Sequence, residues 1–412
     1  MVSTPLFIFN GGLGFLWYIY YTIVKDPVLQ RTSPLFTFSQ IDSAKIEFAN
    51  IVTNYFIPQR PFLLGFPISV FIIIYFWKIL ERKNKNPNII HIICLGLLTG
   101  IFPVIHLYAY IMILMFAAYF LFWDYKKRRK IYFFWIIYFL LSMSIGAVIF
   151  VLLWGSNQIL HQTIFSPLWP TAGNILKWFY YWAVNGGVLF IFAPISFLYA
   201  ARKEKILTIP FACIFIASNL FIFQPHTWDN GKFITYSYLW SAGLIGSFLV
   251  RHYMAVSASH IKKSLITFIF CISIFSGAVD VINLKNFNQQ KFQLFTDRQI
   301  ELGKKIRKVV SKDEIILTGP TNSYISMLSG RQLFMGLDFW VSSYGIDTKD
   351  RLVEIQKIYS GSTEAKQLLK KYNIHYIAVT DRERGVLSIN ENFFNSNFTV
   401  VFRFDDATLY KI

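Results

Sequence analysis

Cysteine is nearly absent from this 412-residue chain: Cys94, Cys213 and Cys271 are the only three, and each lies in a strongly apolar stretch. They exclude a disulfide framework or a thiolate metal site elsewhere, and read as small buried apolar residues. Acidic residues are scarce as well, 22 Asp and Glu against 40 Lys and Arg, and charged residues make up only 15% of the chain. The formal net charge is +18; from residue 286 onward the count is 18 basic against 14 acidic, and residues 1–285 hold 22 against 8. The excess therefore sits in the apolar part, with no basic stripe on a soluble face, which argues against nucleic acid as a partner. A phosphate loop is missing too. Gly319-Pro320-Thr321-Asn322 follows an expected strand but lacks the Gly-x-Gly-x-x-Gly spacing that lets a backbone approach pyrophosphate. His226 has no second ligand at helical or turn spacing, so no metal site is expected and no cofactor is identified.

What is present is apolar: 55% hydrophobic and 19% aromatic residues. Runs of roughly 18 or more apolar residues, the length that crosses a bilayer, dominate to about residue 282 and then stop. The expected fold is a polytopic α-helical membrane domain of about eight transmembrane helices, followed by a small extracytoplasmic α/β domain. The divisions fall at 1–61, an outer-face segment with an interfacial or membrane-associated apolar stretch; 62–285, the transmembrane domain; and 286–412, the soluble domain.

Six spans are bounded by charge, at 62–80, 131–153, 183–200, 206–223, 232–249 and 263–282. The stretch 89–123 is too long for one crossing, because 35 residues at about 1.5 Å each exceed a hydrocarbon core of roughly 30 Å. Gly100, Pro103 and His106 supply a break that cuts it in two. Basic residues test the cut, since cytoplasmic loops carry the excess of Lys and Arg. Four alternate connections hold 14 of them, among them Arg82, Lys126–Lys130, Arg202–Lys205 and Lys262–Lys263, whereas the intervening loops hold only Lys177 and Lys232. That alternation requires two crossings in 89–123 and puts the tail outside.

The same threading puts His106 and the cluster His226, Trp228, Asp229, Asn230 and Lys232 on the outer face. Charge at a membrane boundary is a site hypothesis by default. The aromatic loop Trp154–Trp182 joins them, either as an interfacial helix on the bilayer or as a groove for a lipid substrate. Residues 5–24 carry Asn10, Gly11, Gly12 and Gly14, and form either a ninth span or a glycine-rich outer segment packed on protein. They lack the charged start of a signal peptide.

In the tail, Glu314–Gly319, Leu333–Gly336 and His375–Val379 read as strands, residues 350–372 as helix with a Ser-Gly-Ser break where Ser362 or Thr363 caps the second half, and 398–412 as a hairpin across Asp405 and Asp406. The segment 336–351, with Asp338, Asp347, Asp350 and Arg351 near aromatic residues, suits a structured loop over the sheet or a sugar-binding loop.

Six segments occur in a familiar order: Phe9-Asn-Gly-Gly-Leu-Gly-Phe15, Pro58-Gln-Arg-Pro-Phe-Leu-Leu-Gly-Phe66, Gly96-Leu-Leu-Thr-Gly-Ile-Phe-Pro-Val-Ile-His106, Trp228-Asp-Asn-Gly-Lys232, Leu328-Ser-Gly-Arg331 and Ser343-Tyr-Gly-Ile-Asp347. Together they resemble the C-terminal half of large bacterial and archaeal membrane proteins related to GT-C glycosyltransferases. The resemblance implies transfer of a sugar from a polyprenyl-phosphate donor at the outer face of a prokaryotic plasma membrane. It also implies a carboxylate in a first outer loop, which nothing before residue 62 matches, and hence a split or truncated member working with an N-terminal-half partner.

That chemistry needs a base for the acceptor and positive charge for the leaving phosphate. Asp229 is the candidate base or acceptor-orienting group and Lys232 the phosphate contact. His226 and His106 are secondary polar contacts, Asn230 and Trp228 hold sugar, and Arg60 is a further phosphate contact. A purely architectural role competes: Asp229 caps the following helix and Lys232 pairs with it. Two other classes stay open, a non-catalytic membrane subunit whose outer domain binds glycan or a partner protein, and a transporter. The second fits poorly, with almost no charge inside the spans and no internal repeat.

Overall fold

The computed structural model describes residues 2–24, 39, 41, 44–47, 50–81, 87–154, 163–171, 173–223, 229–256, 259–284, 293–321, 323–343 and 346–412. The chain divides into two compact units, Met1–Gln290 and Lys291–Ile412.

The first unit is helical. Two short helices, α1 (Ser3–Ile8) and α2 (Gly14–Val24), and a π-helical turn Val52–Phe56 precede α3 (Arg60–Glu81), α4 (Ile89–Ile105), α5 (Leu107–Arg128), α6 (Phe133–Trp154), α7 (Ile175–Gly186), α8 (Val188–Leu198), α9 (Arg202–Leu220), α10 (Asn230–Ala255) and α11 (His260–Asn283). Their outward faces are apolar. Phe71 is 63% exposed, Leu152 78% and Ile261 82%. Large aliphatic and aromatic side chains left open all along a helix are costly in water and at ease in hydrocarbon. The chain is an integral membrane protein on this ground.

Among the described residues, five helices are long and apolar enough to cross a bilayer, α3, α5, α6 to Leu153, α10 from Gly231 and α11, or six if α7 and α8 form one broken span. Eight were expected, and three local features account for the difference. Helix α4 has 17 residues, about 25 Å, and stops where His106 turns extended. The expected span 183–200 bends by 95° between α7 and α8, at Gly187, whose φ is +52°. The expected span 206–223 begins earlier, with Arg202, Lys203, Glu204 and Lys205 in the first turn of α9.

The long apolar stretch does break in two, at His106, the one non-helical residue between Ile105 and Leu107. Helix α4 then lies close on α6: a Cβ at Gly100 would come within 2.7 Å of the Ile145 Cβ. Small residues permit such approach where no hydrophobic force separates lipid from protein. The start of the chain is no single span. Its glycines form a clasp: Gly12 has φ +59°, and a Cβ there would meet the Val184 carbonyl at 2.1 Å. Leu13 N–H donates to that carbonyl at 2.8 Å, and Asn50 ties the segment down through the Ile8 and Asn10 carbonyls.

The cysteines correct an expectation. Cys94, Cys213 and Cys271 are free but exposed on their helices rather than buried, on a surface where a thiol is an acceptable lipid-facing group. In the aromatic loop, α7 presents Leu176, Phe179 and Tyr180 outward, while the Trp178 and Trp182 indoles both donate to Asn219 Oδ1 at 2.6 and 2.7 Å. A two-residue strand β1 (Ile164–Phe165) pairs antiparallel with β2 (Phe221–Ile222).

The second unit is a three-layer α/β structure. Its sheet has the order β4 (Gln332–Leu333), β3 (Ile315–Leu317), β5 (Ile374–Val379), β7 (Ala407–Lys411), β6 (Thr399–Phe404). Strand β3 is parallel to both neighbours, and β5–β7 and β6–β7 are antiparallel. The period of two sorts the side chains: Ile316, Tyr376 and Ala378 meet Leu302, Ile306 and Ile325 on one face, and Leu317, Ile377 and Val379 meet Ile355, Ile358 and Leu369 on the other. The helix Asp297–Val309, capped by Thr296 and Gln299, was not anticipated. Neither Ser362 nor Thr363 caps the helix Ala365–Lys371, whose cap position is Glu364 without a side-chain bond. Segment 336–351 closes on itself: Thr348 donates to Asp338 at 2.5 Å, and Arg351 donates to the Phe334 carbonyl at 3.0 Å over the Phe334 ring.

Candidate functional site

His106 breaks the α4–α5 hairpin and organises what surrounds it. Its backbone is extended, and its Nδ1 accepts the Ala109 N–H at 3.1 Å, capping α5. That bond leaves the ring proton on Nε2. Nε2 is buried and has no hydrogen-bond partner among the described residues. The ring packs edge-on against Phe62 of α3 at 5.3 Å and beside Tyr108 at 5.5 Å.

Tyr108 connects the break to α10. Lys232 Nζ sits 4.6 Å from the centre of its ring, a cation–π contact strengthened by partial burial. The same ammonium pairs with Asp229 Oδ1 at 2.6 Å, the two side chains being 14% and 18% exposed. Asp229 stands at the cap position of α10 but is itself helical and makes no side-chain capping bond. Its carboxylate is therefore engaged by Lys232 and not by the helix end. The pairing half of the architectural expectation is realised; the capping half is not.

A second wall comes from the π-helical turn. The Tyr55 ring lies tilted against Phe62 at 5.3 Å. Burial, then the neighbouring Tyr238, Asp229 and Glu47, push its phenol well above the ordinary value, so the Asp229 charge is felt there. Beside it, both amide atoms of Asn54 are buried with no partner among the described residues, as is the Tyr108 hydroxyl. Tyr181 of α7 donates to Glu47 at 3.2 Å. Orphaned buried polar groups cost about 1–3 kcal/mol each. Two of them, His106 Nε2 and the Tyr108 hydroxyl, belong to residues joined to the ion pair through the Tyr108 ring.

The expected site residues separate on this geometry. Asp229, Lys232 and His106 converge through Tyr108. Asn230 is fully buried and serves the fold: its amide donates to the Ser218 and Phe221 carbonyls at 3.2 and 2.7 Å and accepts the Phe223 N–H at 3.1 Å. Arg60 opens α3 two residues before Phe62 and is exposed, with no bonded partner among the described residues. His226 and Trp228 lie outside the described residues. Sequence reasoning missed Tyr55 and Tyr108, because aromatic residues in apolar runs look like core. Among the described residues no group of three or more His, Cys, Asp or Glu could hold a metal ion.

No family model matches the sequence, and no curated protein matches it. Among solved structures it is similar to the crystal structure of the Archaeoglobus fulgidus oligosaccharyltransferase tethered with an acceptor peptide containing the NVT sequon. Identity is 11%, the TM-score 0.39, and the match covers 81% of this chain and 48% of that one. The chain thus spans about half the length of that relative.

Proposed function

We propose that this chain is a GT-C-like membrane glycosyltransferase, or the acceptor-side part of one, that transfers a sugar from a polyprenyl-phosphate donor. The observation that carries the proposal is the half-buried Asp229–Lys232 pair, with Lys232 over the Tyr108 ring and His106 against that ring, where His106 Nε2 and the Tyr108 hydroxyl have no partner among the described residues. In the reaction the acceptor attacks the anomeric carbon, the bond from that carbon to the phosphate oxygen breaks, and polyprenyl phosphate leaves. Lys232 meets the phosphate. That contact draws the ammonium away from Asp229, so the carboxylate becomes free to take the acceptor proton only when donor is bound. His106 Nε2–H and the Tyr108 hydroxyl are placed to bond the sugar or the phosphate. The active form is proposed to include a polypeptide supplying the first-loop carboxylate of the resembled family, at the outer face, with the second unit on the same side.

The test is transfer from a synthetic polyprenyl-phosphate sugar in membranes containing the chain. Asp229→Asn is expected to lower the rate by about 10²–10⁴-fold, the usual contribution of general base catalysis. Lys232→Met is expected to raise the KM for donor. Transfer that is indifferent to both changes, or absent with every donor, removes the enzymatic proposal.

Transport is not supported by the helices. The carboxylates buried in them, Asp124 and Asp280, lie near the ends of α5 and α11, not at mid-helix where coupling ions bind.

A further inference from the structure

Helices α3 and α5 each run for 22 residues, about 33 Å, away from the His106 region. At their far ends they meet the start of α9 around a groove of about 530 Å³, lined by Trp77, Leu80, Trp123 and Ile206 as well as Glu81, Lys126, Lys127, Arg202 and Lys203. Four cations face one carboxylate. Lys203 takes that carboxylate, Glu81 Oε1, at 2.8 Å, and Lys127 donates to the Leu80 carbonyl at 3.1 Å. Lys126 lies over the Trp123 ring at 5.0 Å. Arg202 has no partner among the described residues and is exposed. Arg202 and Lys203 also open α9, the end of a helix that favours an anion and disfavours a cation. Glu204 in the same turn is taken up by the Ala201 N–H and by Arg251, so the groove itself is left short of negative charge.

Its other wall is of opposite character. Trp77 and Trp123, the residue type that settles at headgroup depth, stand with Leu80 and Ile206 beneath the cationic rim. Tyr119 from the same helix as Trp123 donates to the Ile206 carbonyl at 2.5 Å and ties α5 to α9. Cations above and aromatic and aliphatic surface below match a molecule that is anionic at one end and hydrocarbon at the other.

We propose that this groove is a binding site for an anionic membrane phospholipid, with the phosphodiester between Lys126 and Arg202 and the first methylenes of its chains against Trp77 and Trp123. The occupant is a lipid and not a soluble anion, because free phosphate would leave the apolar wall without a partner. The site is independent of the sugar-transfer proposal and lies at the other end of the helices.

Native mass spectrometry of the purified full chain tests it, with phosphatidylglycerol and phosphatidylcholine of identical acyl chains added in turn. Phosphatidylglycerol is expected to stay bound where phosphatidylcholine does not. Each basic residue near a lipid headgroup changes binding by about fivefold, so Lys126→Gln with Arg202→Gln is expected to lower phosphatidylglycerol occupancy by about 25-fold. The control pair Lys262→Gln with Lys263→Gln removes equal charge at the start of α11 and is expected to leave occupancy unchanged. Equal losses in both pairs would mean diffuse attraction and overturn the site. So would unchanged binding in the groove variant, or a melting-temperature rise with inorganic phosphate as large as that with phosphatidylglycerol. Variant folding is checked by melting temperature in phosphatidylcholine, and the comparison of the two lipids on the unmodified chain stands without any variant.

Discussion

Two acid–base pairs in the membrane unit have nearly the same spacing and opposite surroundings. Asp124 and Arg128, four apart near the end of α5, are joined at 2.9 Å. Asp124 is only 1% exposed, yet it also accepts the Trp135 indole at 3.0 Å, and Arg128 lies over the Tyr132 ring. Asp229 and Lys232, three apart at the start of α10, are joined at 2.6 Å, but the polar groups around them are unpartnered. Spacing identifies both pairs as helical neighbours. What holds the carboxylate separates them: Asp124 has both the Arg128 guanidinium and the Trp135 indole, as a group that supports the fold does, whereas Asp229 has Lys232 next to a His106 Nε2 and a Tyr108 hydroxyl without partners among the described residues.

The comparison can be broken most sharply at the saturated pair. Asp124→Ala strands a guanidinium and an indole N–H in a buried site and is expected to cost about 3–5 kcal/mol, read as thermal unfolding in detergent. A loss under about 1 kcal/mol would erase the distinction. Next in size is Gly11→Ala in the clasp. Its new Cβ would lie 2.4 Å from the Gly277 nitrogen and the Ser276 Cβ, and overpacking of this kind costs about 1–3 kcal/mol. If the melting temperature does not fall, the clasp is looser than described. Asp229→Asn is expected to cost about 1–2 kcal/mol, less than at Asp124 because the amide still bonds and both side chains keep some solvent contact. A loss matching that of Asp124→Ala would move Asp229 to the supporting role.

The smallest effect concerns the second unit. Burial raises the Glu354 carboxyl, but hydrogen bonds from Tyr372 and Lys371 outweigh it and lower the pKa overall. A carboxyl lowered on folding stabilises above its unfolded value of 4.5 and loses that contribution as pH falls through the folded value. Glu354→Gln should therefore flatten the acid limb of amide-exchange protection around Lys371 in the full chain. An unchanged acid limb would show that the Lys371 contact contributes nothing in solution.

Much of the architecture was legible because bilayers constrain sequence strongly. Hydrocarbon thickness demanded that 89–123 be cut, and the cut fell at His106. The strand at His375–Val379 and the terminal hairpin were likewise legible as parts of a small α/β structure. The count of crossings was less legible, since apolarity alone does not reveal that Gly187 turns a span by 95°. The site was visible only where it is charged. Asp229 and Lys232 stood out against apolar neighbours; Tyr55 and Tyr108 did not, because nothing in their local sequence says that a ring faces an ion pair. Asn230 misled for the converse reason. An amide beside an aspartate looks like a ligand contact, and its three bonds to backbone come from residues 7 to 12 positions earlier.

The glycine clasp carries a consequence for synthesis. A Cβ at Gly11 is forbidden by Ser276 and Gly277, and one at Gly12 by Val184, so the opening residues of the chain are seated by segments translated some 170 to 270 codons later. Until the ribosome has delivered α11, Gly11 and Gly12 have no berth, and the bundle stays open at that seam. A quality-control protease would meet residues 2–24 before the clasp can shut.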